Sequence, residues 1–208
     1  MSDPFVTKNI LKWYDLNKRS LPWRKNVSKE KRQYNTLISE FMLQQTQVAT
    51  VIPYFNKFVK EIPNIKKLAS VDNKKLIKLW EGLGYYSRAR NLKKAAQSVI
   101  KNFNGVIPDN FDDLKSLSGI GDYTANAILA IAFNKPYIPL DGNVERIIKR
   151  YLYLKKEKEI QKENLIEKKS ILGFSNRSSD YAQALMEFGA LVCKPTNPMC
   201  CQCPITKK

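Results

Sequence analysis

The stretch "LSGIGDYTANAILA" (residues 117–130) places two glycines around one isoleucine and then changes to a helical apolar pattern. The segment before it predicts a short helix over 111–117, and the segment after it predicts a second helix over 123–133. Gly119 and Gly121 tolerate positive φ and leave the backbone amides of a tight turn uncovered. The pattern predicts a helix-hairpin-helix, and the alternative is a plain turn between two helices with a glycine cap.

The charge of the chain favours a phosphate-binding role for this hairpin. Lysine and arginine total 36 against 19 aspartates and glutamates, which leaves a formal charge of +17 over 208 residues. Such an excess favours a polyanionic partner, with nucleic acid as the first candidate and a membrane surface as the second. The uncovered amides at the start of the second helix, with its positive dipole end, can hold a DNA phosphate without reading sequence.

Composition also excludes several classes of protein. The chain has no histidine, which removes mechanisms that need an imidazole base or ligand. The longest apolar runs fall short of the roughly 18 residues of a membrane-spanning helix. The start, "MSDPFVTKNILKWYDL", lacks the layout of a secretion signal. A cytosolic or nuclear location follows by default, and a cytoplasmic location of bacterial type is the prediction.

Apolar residues recur at spacings of three and four, without sustained alternation, which predicts an all-α chain. Asp72, Asn110 and Ser178 stand where N-caps belong. The lysine-rich stretch 155–169 is interpreted as a solvated helix face, with a nucleic-acid-binding arm as the alternative. Helices are predicted near residues 5–17, 35–48, 51–60, 73–80, 86–103, 111–117, 123–133, 142–153, 158–171 and 179–191.

Two acidic residues have unusual sequence contexts. Glu40 lies inside the apolar run "LISEFML", although glutamate is rarely buried without a partner. On the helix predicted over 35–48, Glu40 shares one face with Gln44 and Gln47, at i, i+4 and i+7. Asp141 directly precedes the helical pattern "GNVERIIKR" and occupies an N-cap position. An ordinary amphipathic helix and an ordinary capping aspartate would give the same patterns, so a catalytic role stays open at this point.

All four cysteines lie within the last 16 residues, at Cys193, Cys200, Cys201 and Cys203. In a reducing compartment, clustered thiols indicate metal ligands before disulfides. Zinc, an iron–sulfur cluster and free thiols all remain open from the spacing alone.

Six segments of the chain resemble the adenine DNA glycosylase (MutY) family, within the helix-hairpin-helix superfamily of DNA glycosylases, and they follow in the same order. They are "LPWR" (21–24), "SEFMLQQTQVATVIPYF" (39–55), "LWEGLGYYSRARNL" (79–92), "LSGIGDYTANAI" (117–128), "LDGNV" (140–144) and "QALMEFGALVC" (183–193). The resemblance covers nearly the whole chain. It implies an all-α, two-lobed fold with a six-helix barrel lobe over 28–136 and an iron–sulfur cluster lobe from 1–27 and 137–208.

The resemblance implies base excision repair, in which adenine paired with 8-oxoguanine or guanine is removed from duplex DNA. Glu40 matches the general acid that protonates adenine at ring nitrogen 7, and apolar surroundings would raise its pKa in the required direction. Asp141 matches the carboxylate, expected to stay ionised, that stabilises the oxocarbenium-like sugar. Tyr123 and Asn143 match residues that line the active site.

The resemblance also implies binding residues. Trp23, Arg24 and Gln183 match the adenine pocket. Ser87, Arg88 and Arg90 match the region near the DNA backbone, with a surface ion pair as the alternative for the two arginines. The residues matching the grip on DNA around the mispair are Leu43, Gln44, Gln45, Thr46 and Tyr85, with Gly119 and Gly121 at the phosphate.

Two other functions compete with adenine removal. Glycosylases of the endonuclease III type, which also cut DNA as lyases, resemble this chain but carry a lysine where it has Tyr123. Lysine forms a Schiff base with the sugar and tyrosine cannot, so a monofunctional glycosylase is favoured. The third possibility is a non-catalytic DNA-binding remnant, against which the presence of both Glu40 and Asp141 counts.

The cysteine tail departs from the family pattern. Cys193, Cys200 and Cys203 match the first three ligands of the family's 4Fe–4S cluster, and the fourth would fall at position 209, after Lys208. Zinc and free thiols are the alternatives. The residues up to Lys208 match the family without its later domain for recognising 8-oxoguanine. A catalytic core is therefore expected, acting as a monomer on duplex DNA and away from membranes.

Overall fold

The computed structural model describes residues 4–154, 165 and 167–206, and the chain divides into two compact units. Residues 20–133 form one unit, called here the central unit, and residues 1–19 with 134–208 form the other, called the terminal unit. Residues 20–27, expected in the cluster lobe, belong to the central unit. The Trp23 ring packs edge-on against Phe55 there, with ring centroids 5.3 Å apart.

The described residues contain helices and connecting loops, without strands, as the periodicity predicts. A 3-10 helix, Pro22–Arg24, opens the central unit. The α-helices that follow it are α2 (Lys29–Leu43), α3 (Val48–Glu61), α4 (Ile65–Ser70), α5 (Asn73–Trp80), α6 (Ser87–Asn102), α7 (Phe111–Ser116) and α8 (Asp122–Phe133).

Helix α2 is the core helix of the central unit. The Ser28 side chain caps it by accepting a hydrogen bond from the Lys31 amide, and every residue from Gln33 to Met42 is buried. The helix packs against α3, α6, α8 and the 3-10 helix, so it is covered on all its faces. A helix in this position can hold a polar side chain away from bulk water.

The terminal unit is built on α1 (Pro4–Asn17), α9 (Gly142–Tyr151) and α10 (Ser178–Leu191), with 3-10 helices at Lys169–Leu172 and Cys200–Gln202. Helix α10 packs against both α1 and α9. Trp13 meets Phe188 edge-on at 5.6 Å, within an apolar cluster contributed by all three helices. This packing holds the start of α9 and the end of α10 in fixed positions.

The helix predicted over 35–48 is wrong at both ends, since α2 begins at Lys29 and its C-terminal end also differs. Helix α2 ends at Leu43, Gln45 has φ of 55°, and Gln47 is the N-cap of α3. Glu40, Gln44 and Gln47 therefore do not share a helix face. The apolar periodicity runs through this break, and the Met42 carbonyl at the end of the helix accepts a hydrogen bond from Arg88, far along the chain.

Other predictions had mixed outcomes. The caps at Asp72 and Asn110 are confirmed, since their side chains accept amide hydrogen bonds at the starts of α5 and α7. Ser178 is not a cap but the first residue of α10, and its hydroxyl donates to the Ser175 carbonyl. Helix α4 was not predicted, although the Asn64 side chain caps its start. Most of the helix predicted over 158–171, and most of the lysine-rich stretch, lies outside the described residues.

Among the described helices, none is both long enough and apolar enough to cross a membrane.

Candidate functional site

Glu40 is a buried acidic residue in the last turn of a core helix. It lies three residues before the end of α2 and is 4% exposed. Its neighbours in sequence, Ser39 and Phe41, are buried as well. The structure therefore confirms that this glutamate is buried rather than on the solvent side of an amphipathic helix.

The loop after α2, the helix that carries Glu40, contacts the predicted hairpin. The Gln44 side-chain amide lies 3.4 Å from the Gly119 carbonyl and 3.5 Å from the Thr124 hydroxyl. Leu43 and Thr46 are half-buried in this loop, and Gln45 is exposed in the left-handed conformation. The loop therefore holds one glutamine against the hairpin and presents the next to solvent.

The hairpin joins α7 to α8 through residues 117–121, and Gly119 is required for its geometry. Gly119 has φ of 82°, and a Cβ there would lie 2.8 Å from the Asn91 Cβ and 2.9 Å from a Phe41 ring carbon. A Cβ at Gly121 would meet open space instead. The turn therefore packs closely on one side, and at Gly121 it leaves room for a ligand to approach the backbone.

Two tyrosines matched to the site are placed differently. Tyr123 is half-buried in the first turn of α8. Tyr85 precedes α6, is 62% exposed and has φ of 47°. An exposed ring contributes little to a core, so Tyr85 is not a packing residue.

Arg88 is buried, against both expectations for it. It is 7% exposed, and its terminal nitrogens donate to backbone carbonyls, including Met42 at 2.9 Å and Leu83 at 2.9 Å. The guanidinium of Arg88 is therefore bound to the protein's own backbone, while Ser87 and Arg90 on the same helix are exposed.

Asp141 caps α9 in the terminal unit. Its Oδ1 accepts the Val144 amide at 2.7 Å, and its Oδ2 accepts the Asn143 side-chain amide at 2.8 Å. Burial raises the pKa of Asp141 above its ordinary value, and the hydrogen bonds from Val144 and Asn143 partly oppose that rise. Asp141 and Asn143, matched from sequence as active-site residues, are thus hydrogen-bonded partners.

Arg146 extends this pair to the cysteine tail, and sequence reasoning missed it. Its Nη2 donates to the Asn143 Oδ1 and to the Gly189 carbonyl, each at 2.7 Å, and its Nε donates to the Cys193 carbonyl at 2.6 Å. The spacing of three residues between Asn143 and Arg146, one turn of the same helix, was the available signal.

The approach of α10 to α9 depends on Gly189. A Cβ there would lie 2.5 Å from the Asn143 Cβ and 3.1 Å from its Cα. Gln183, matched to the adenine pocket, is buried on α10 and donates to the Ser179 carbonyl one turn earlier at 3.0 Å. Glu187, also missed from sequence, is buried and accepts from the Arg19 backbone amide at 2.7 Å and its Nε at 3.0 Å.

Three of the four cysteines surround one cavity of the terminal unit. Cys193, Cys200 and Cys203 line a space of about 300 Å³, whereas the exposed Cys201 is not among its lining residues. Arg150 donates to the Cys193 sulfur at 3.4 Å and to the Lys194 carbonyl at 2.6 Å. Across the described part of the chain, no three histidine, cysteine or acidic side chains converge on a position for a single metal ion. The donor set present at the cavity is three thiols, of the four thiolates that hold a 4Fe–4S cluster.

The chain combines a helical fold with a glycine hairpin, a buried glutamate and an aspartate that caps a helix. Comparison with known proteins identifies the class of protein that has these features. Residues 38–172 match the profile of the HhH-GPD superfamily base excision DNA repair proteins. The chain belongs to this superfamily.

The chain is also similar to curated adenine DNA glycosylases, which confirms the resemblance seen in its motifs. It is 43% identical to the adenine DNA glycosylase of Buchnera aphidicola subsp. Acyrthosiphon pisum, over 100% of this chain and 59% of the relative. It is 40% identical to the human adenine DNA glycosylase, over 95% of this chain and 37% of the relative. The chain thus spans between about a third and three fifths of the length of these relatives.

Solved structures support the same fold. A thermostable thymine-DNA glycosylase superimposes with a TM-score of 0.82 at 27% identity, covering 95% of this chain and 90% of that one. A non-covalent endonuclease III–DNA complex superimposes with a TM-score of 0.76 at 23% identity, covering 96% and 90% respectively. The expected helix-hairpin-helix glycosylase fold is confirmed.

Proposed function

We propose that this protein is a monofunctional adenine DNA glycosylase that acts on adenine mispaired with 8-oxoguanine or guanine in duplex DNA. The observation that carries the proposal is the buried Glu40 on a helix whose end is hydrogen-bonded, through Gln44, to the glycine hairpin. The helix that carries the candidate general acid is therefore hydrogen-bonded to the candidate phosphate-binding turn within one unit. The curated relatives, which are named for this activity, add support.

In the proposed reaction, Glu40 acts on the base of the N-glycosidic bond and Asp141 acts on the sugar. Glu40 donates a proton to ring nitrogen 7 of the adenine, so that the electrons of the breaking N-glycosidic bond leave with a base that carries no negative charge. The ionised Asp141 stabilises the positive charge that develops on the sugar. Water supplies the hydroxyl of the abasic sugar and a proton that restores the acid. Tyr123 cannot form a Schiff base, so no strand cleavage accompanies base release.

The adenine must leave the base stack before it can react. Unstacking costs a few kcal/mol and is easiest at a mispair. Gln45 and Tyr85, both exposed and both in the left-handed conformation, supply side chains that can enter the space around the extruded base. Trp23, Arg24 and Gln183 match the family's adenine-contacting residues, and Gly119 and Gly121 would present amides to a phosphate.

We also propose that Cys193, Cys200 and Cys203 are ligands of a 4Fe–4S cluster. The cavity that these three cysteines share is the supporting observation, and a cluster there would act as a structural crosslink of the tail. Arg146 and Arg150 hold the segment that carries Cys193 by donating to the Cys193 and Lys194 carbonyls.

The catalytic proposal is tested by single-turnover kinetics on a duplex with one adenine opposite 8-oxoguanine. Glu40→Gln keeps the shape of the side chain but removes the acid, so the excision rate should fall by at least about 10²-fold. Strand breaks should appear only after alkali treatment, because the product is an intact abasic strand. Breaks without alkali would instead favour a lyase, and duplex binding without any excision by the wild type would favour a DNA-binding remnant.

The cluster proposal is tested by comparing two adjacent cysteines. Cys200→Ser should lower the iron content and the visible absorbance of the purified protein, because it removes a ligand from the cavity. Cys201→Ser is the matched control and should leave both unchanged, since Cys201 is not among the residues lining the cavity. Equal iron loss in the two variants would contradict this ligand assignment.

A further inference from the structure

One buried arginine joins two loops of the central unit that are far apart in sequence. Arg88 lies in the first turn of α6, and its Nη1 is within hydrogen-bond distance of the Phe41 and Met42 carbonyls, at 3.4 and 2.9 Å, and of the Gln44 carbonyl. The same nitrogen lies 3.1 Å from the Thr46 hydroxyl. These contacts take up backbone groups at the C-terminal end of α2 that have no partner within the helix.

The other terminal nitrogen of Arg88 binds the second loop. Its Nη2 donates to the Leu83 carbonyl at 2.9 Å and to the Gly84 carbonyl at 3.2 Å. The guanidinium carbon lies 5.4 Å from the centre of the Tyr85 ring and 5.7 Å from that of Trp80. The planar fork of an arginine can make both sets of contacts at once, whereas the single ammonium of a lysine cannot.

Each of the two loops carries an exposed side chain on a strained backbone. Gln45 has φ of 55° and Tyr85 has φ of 47°, and neither is a glycine. Residues in this region persist only where the surrounding structure determines their conformation, and they concentrate at functional sites. Arg88 contacts the residues immediately before each of them, the Gln44 and Gly84 carbonyls.

We propose that Arg88 is a positioning residue that locks loop 43–47 to loop 82–86 and thereby holds Gln45 and Tyr85 ready for the base stack. The proposal rests on the proposed function for its consequence, since Gln45 and Tyr85 are the side chains taken to enter the DNA. Its structural content, the coupling of two loops by one guanidinium, does not depend on the substrate. Arg88 itself is not expected to contact a phosphate, because its terminal nitrogens are occupied by carbonyls.

The first test measures amide hydrogen exchange in Arg88→Met, Arg88→Lys and Arg90→Met. Both Arg88 variants should exchange at least about tenfold faster in peptides covering 43–47 and in those covering 82–87, with other peptides of the central unit unchanged. Arg90→Met is the matched control, because it removes the same charge from an exposed position on the same helix. Unchanged exchange in either loop, or wild-type protection in Arg88→Lys, would overturn the proposal. If Arg88→Met fails to fold, Arg88→Lys decides the outcome.

The second test separates positioning from charge through DNA binding. Arg88→Met should bind a matched duplex with the same affinity and salt dependence as the wild type, but should lose at least about tenfold of its preference for the adenine–8-oxoguanine duplex. A salt slope lowered by about one, restored by Arg88→Lys, would instead identify a phosphate contact and overturn the proposal. A wild type without mispair preference would contradict the proposed function, while hydrogen exchange would still decide the role of Arg88.

Discussion

The two candidate catalytic carboxyls differ in what surrounds each of them. Glu40 is enclosed within α2, and Asp141 stands at the start of α9, where an amide and a side-chain amide bind its two oxygens. Hydrogen bonds of this kind favour the charged form, whereas burial disfavours it. For Asp141 burial has the larger effect, so the pKa of this group is raised. An ionised Asp141 at neutral pH is therefore costly to the fold and useful to the proposed reaction.

Replacing Asp141 by asparagine should separate stability from activity. Asparagine is an equally good N-cap, so the cap is retained while the buried charge is removed. Because the raised pKa means that protonation stabilises the folded state, the wild type loses stability as the pH rises through that pKa, and Asp141→Asn does not. The variant should unfold at a higher temperature than the wild type near neutral pH, and the difference should narrow as the pH falls.

The same variant should lower the single-turnover excision rate by at least about 10²-fold, since the amide cannot stabilise a positive sugar. Thermal unfolding from about pH 8 down to about pH 4 provides the stability measurement. Asp72→Asn, the same exchange at an exposed N-cap, serves as the control and should not raise the unfolding temperature, because it removes no buried charge. A pH-independent loss of stability in Asp141→Asn would contradict the prediction.

At the scale of elements, glycines set how closely the site-bearing segments approach each other. Gly119 brings the hairpin turn against Phe41 and Asn91, and Gly189 brings α10 against Asn143. Side chains at these positions would separate segments that the candidate site needs in contact. Gly121 has open space beside it, so a side chain there would not disturb the packing. The absence of a side chain at Gly121 instead leaves the backbone exposed.

Alanine substitution should distinguish the two glycines of the hairpin. Gly119→Ala places a Cβ in a left-handed residue and within 2.9 Å of two neighbours, so it should lower the free energy of unfolding. The expected loss is about 1–3 kcal/mol. Gly121→Ala should stay within about 0.5 kcal/mol of the wild type.

Urea unfolding of both variants, followed by circular dichroism, measures this difference. Duplex affinity adds a second comparison, because a methyl group at position 121 lies where a phosphate would approach. Equal destabilisation by the two substitutions would contradict the prediction, because it would show that the close packing at Gly119 does not set the cost of a side chain in the hairpin.

For the whole molecule, the charge of +17 predicts how binding responds to salt. Each phosphate neutralised by the protein releases bound counterions, so affinity for undamaged duplex should fall linearly on logarithmic axes. With six to ten phosphate contacts the loss between about 50 and 200 mM salt would be about 10³–10⁵-fold. The wild type can be used for this titration, because an undamaged duplex contains no mispaired adenine for it to release.

A control separates net charge from local contact in that titration. Arg177 is held by Asp15 at 2.6 Å and by Asp180 at 2.7 Å, so Arg177→Met should leave the salt slope unchanged although it lowers the net charge. A flat response to salt in the parent protein would contradict a phosphate grip altogether.

Features that depend on neighbouring residues could be predicted from the sequence alone. The helical class, the hairpin around Gly119, the cap at Asp141 and the clustered cysteines each depend on contiguous residues, whose spacing and turn chemistry are local properties. The burial of Glu40 was also indicated, because a glutamate flanked by apolar residues on one helix is drawn into the core with them. The superfamily was visible for the same reason, since its motifs are short and ordered.

Only the tertiary structure decided the contacts between distant residues. Arg88 donates to the Met42 carbonyl near the end of α2, and Arg146 donates to the Cys193 carbonyl. Each contact joins positions more than 40 residues apart. No periodicity records such a contact, because the side chain that ends a helix or satisfies a carbonyl arrives from another element. The sequence therefore determined which chemical groups this protein has, and packing determined which of them meet.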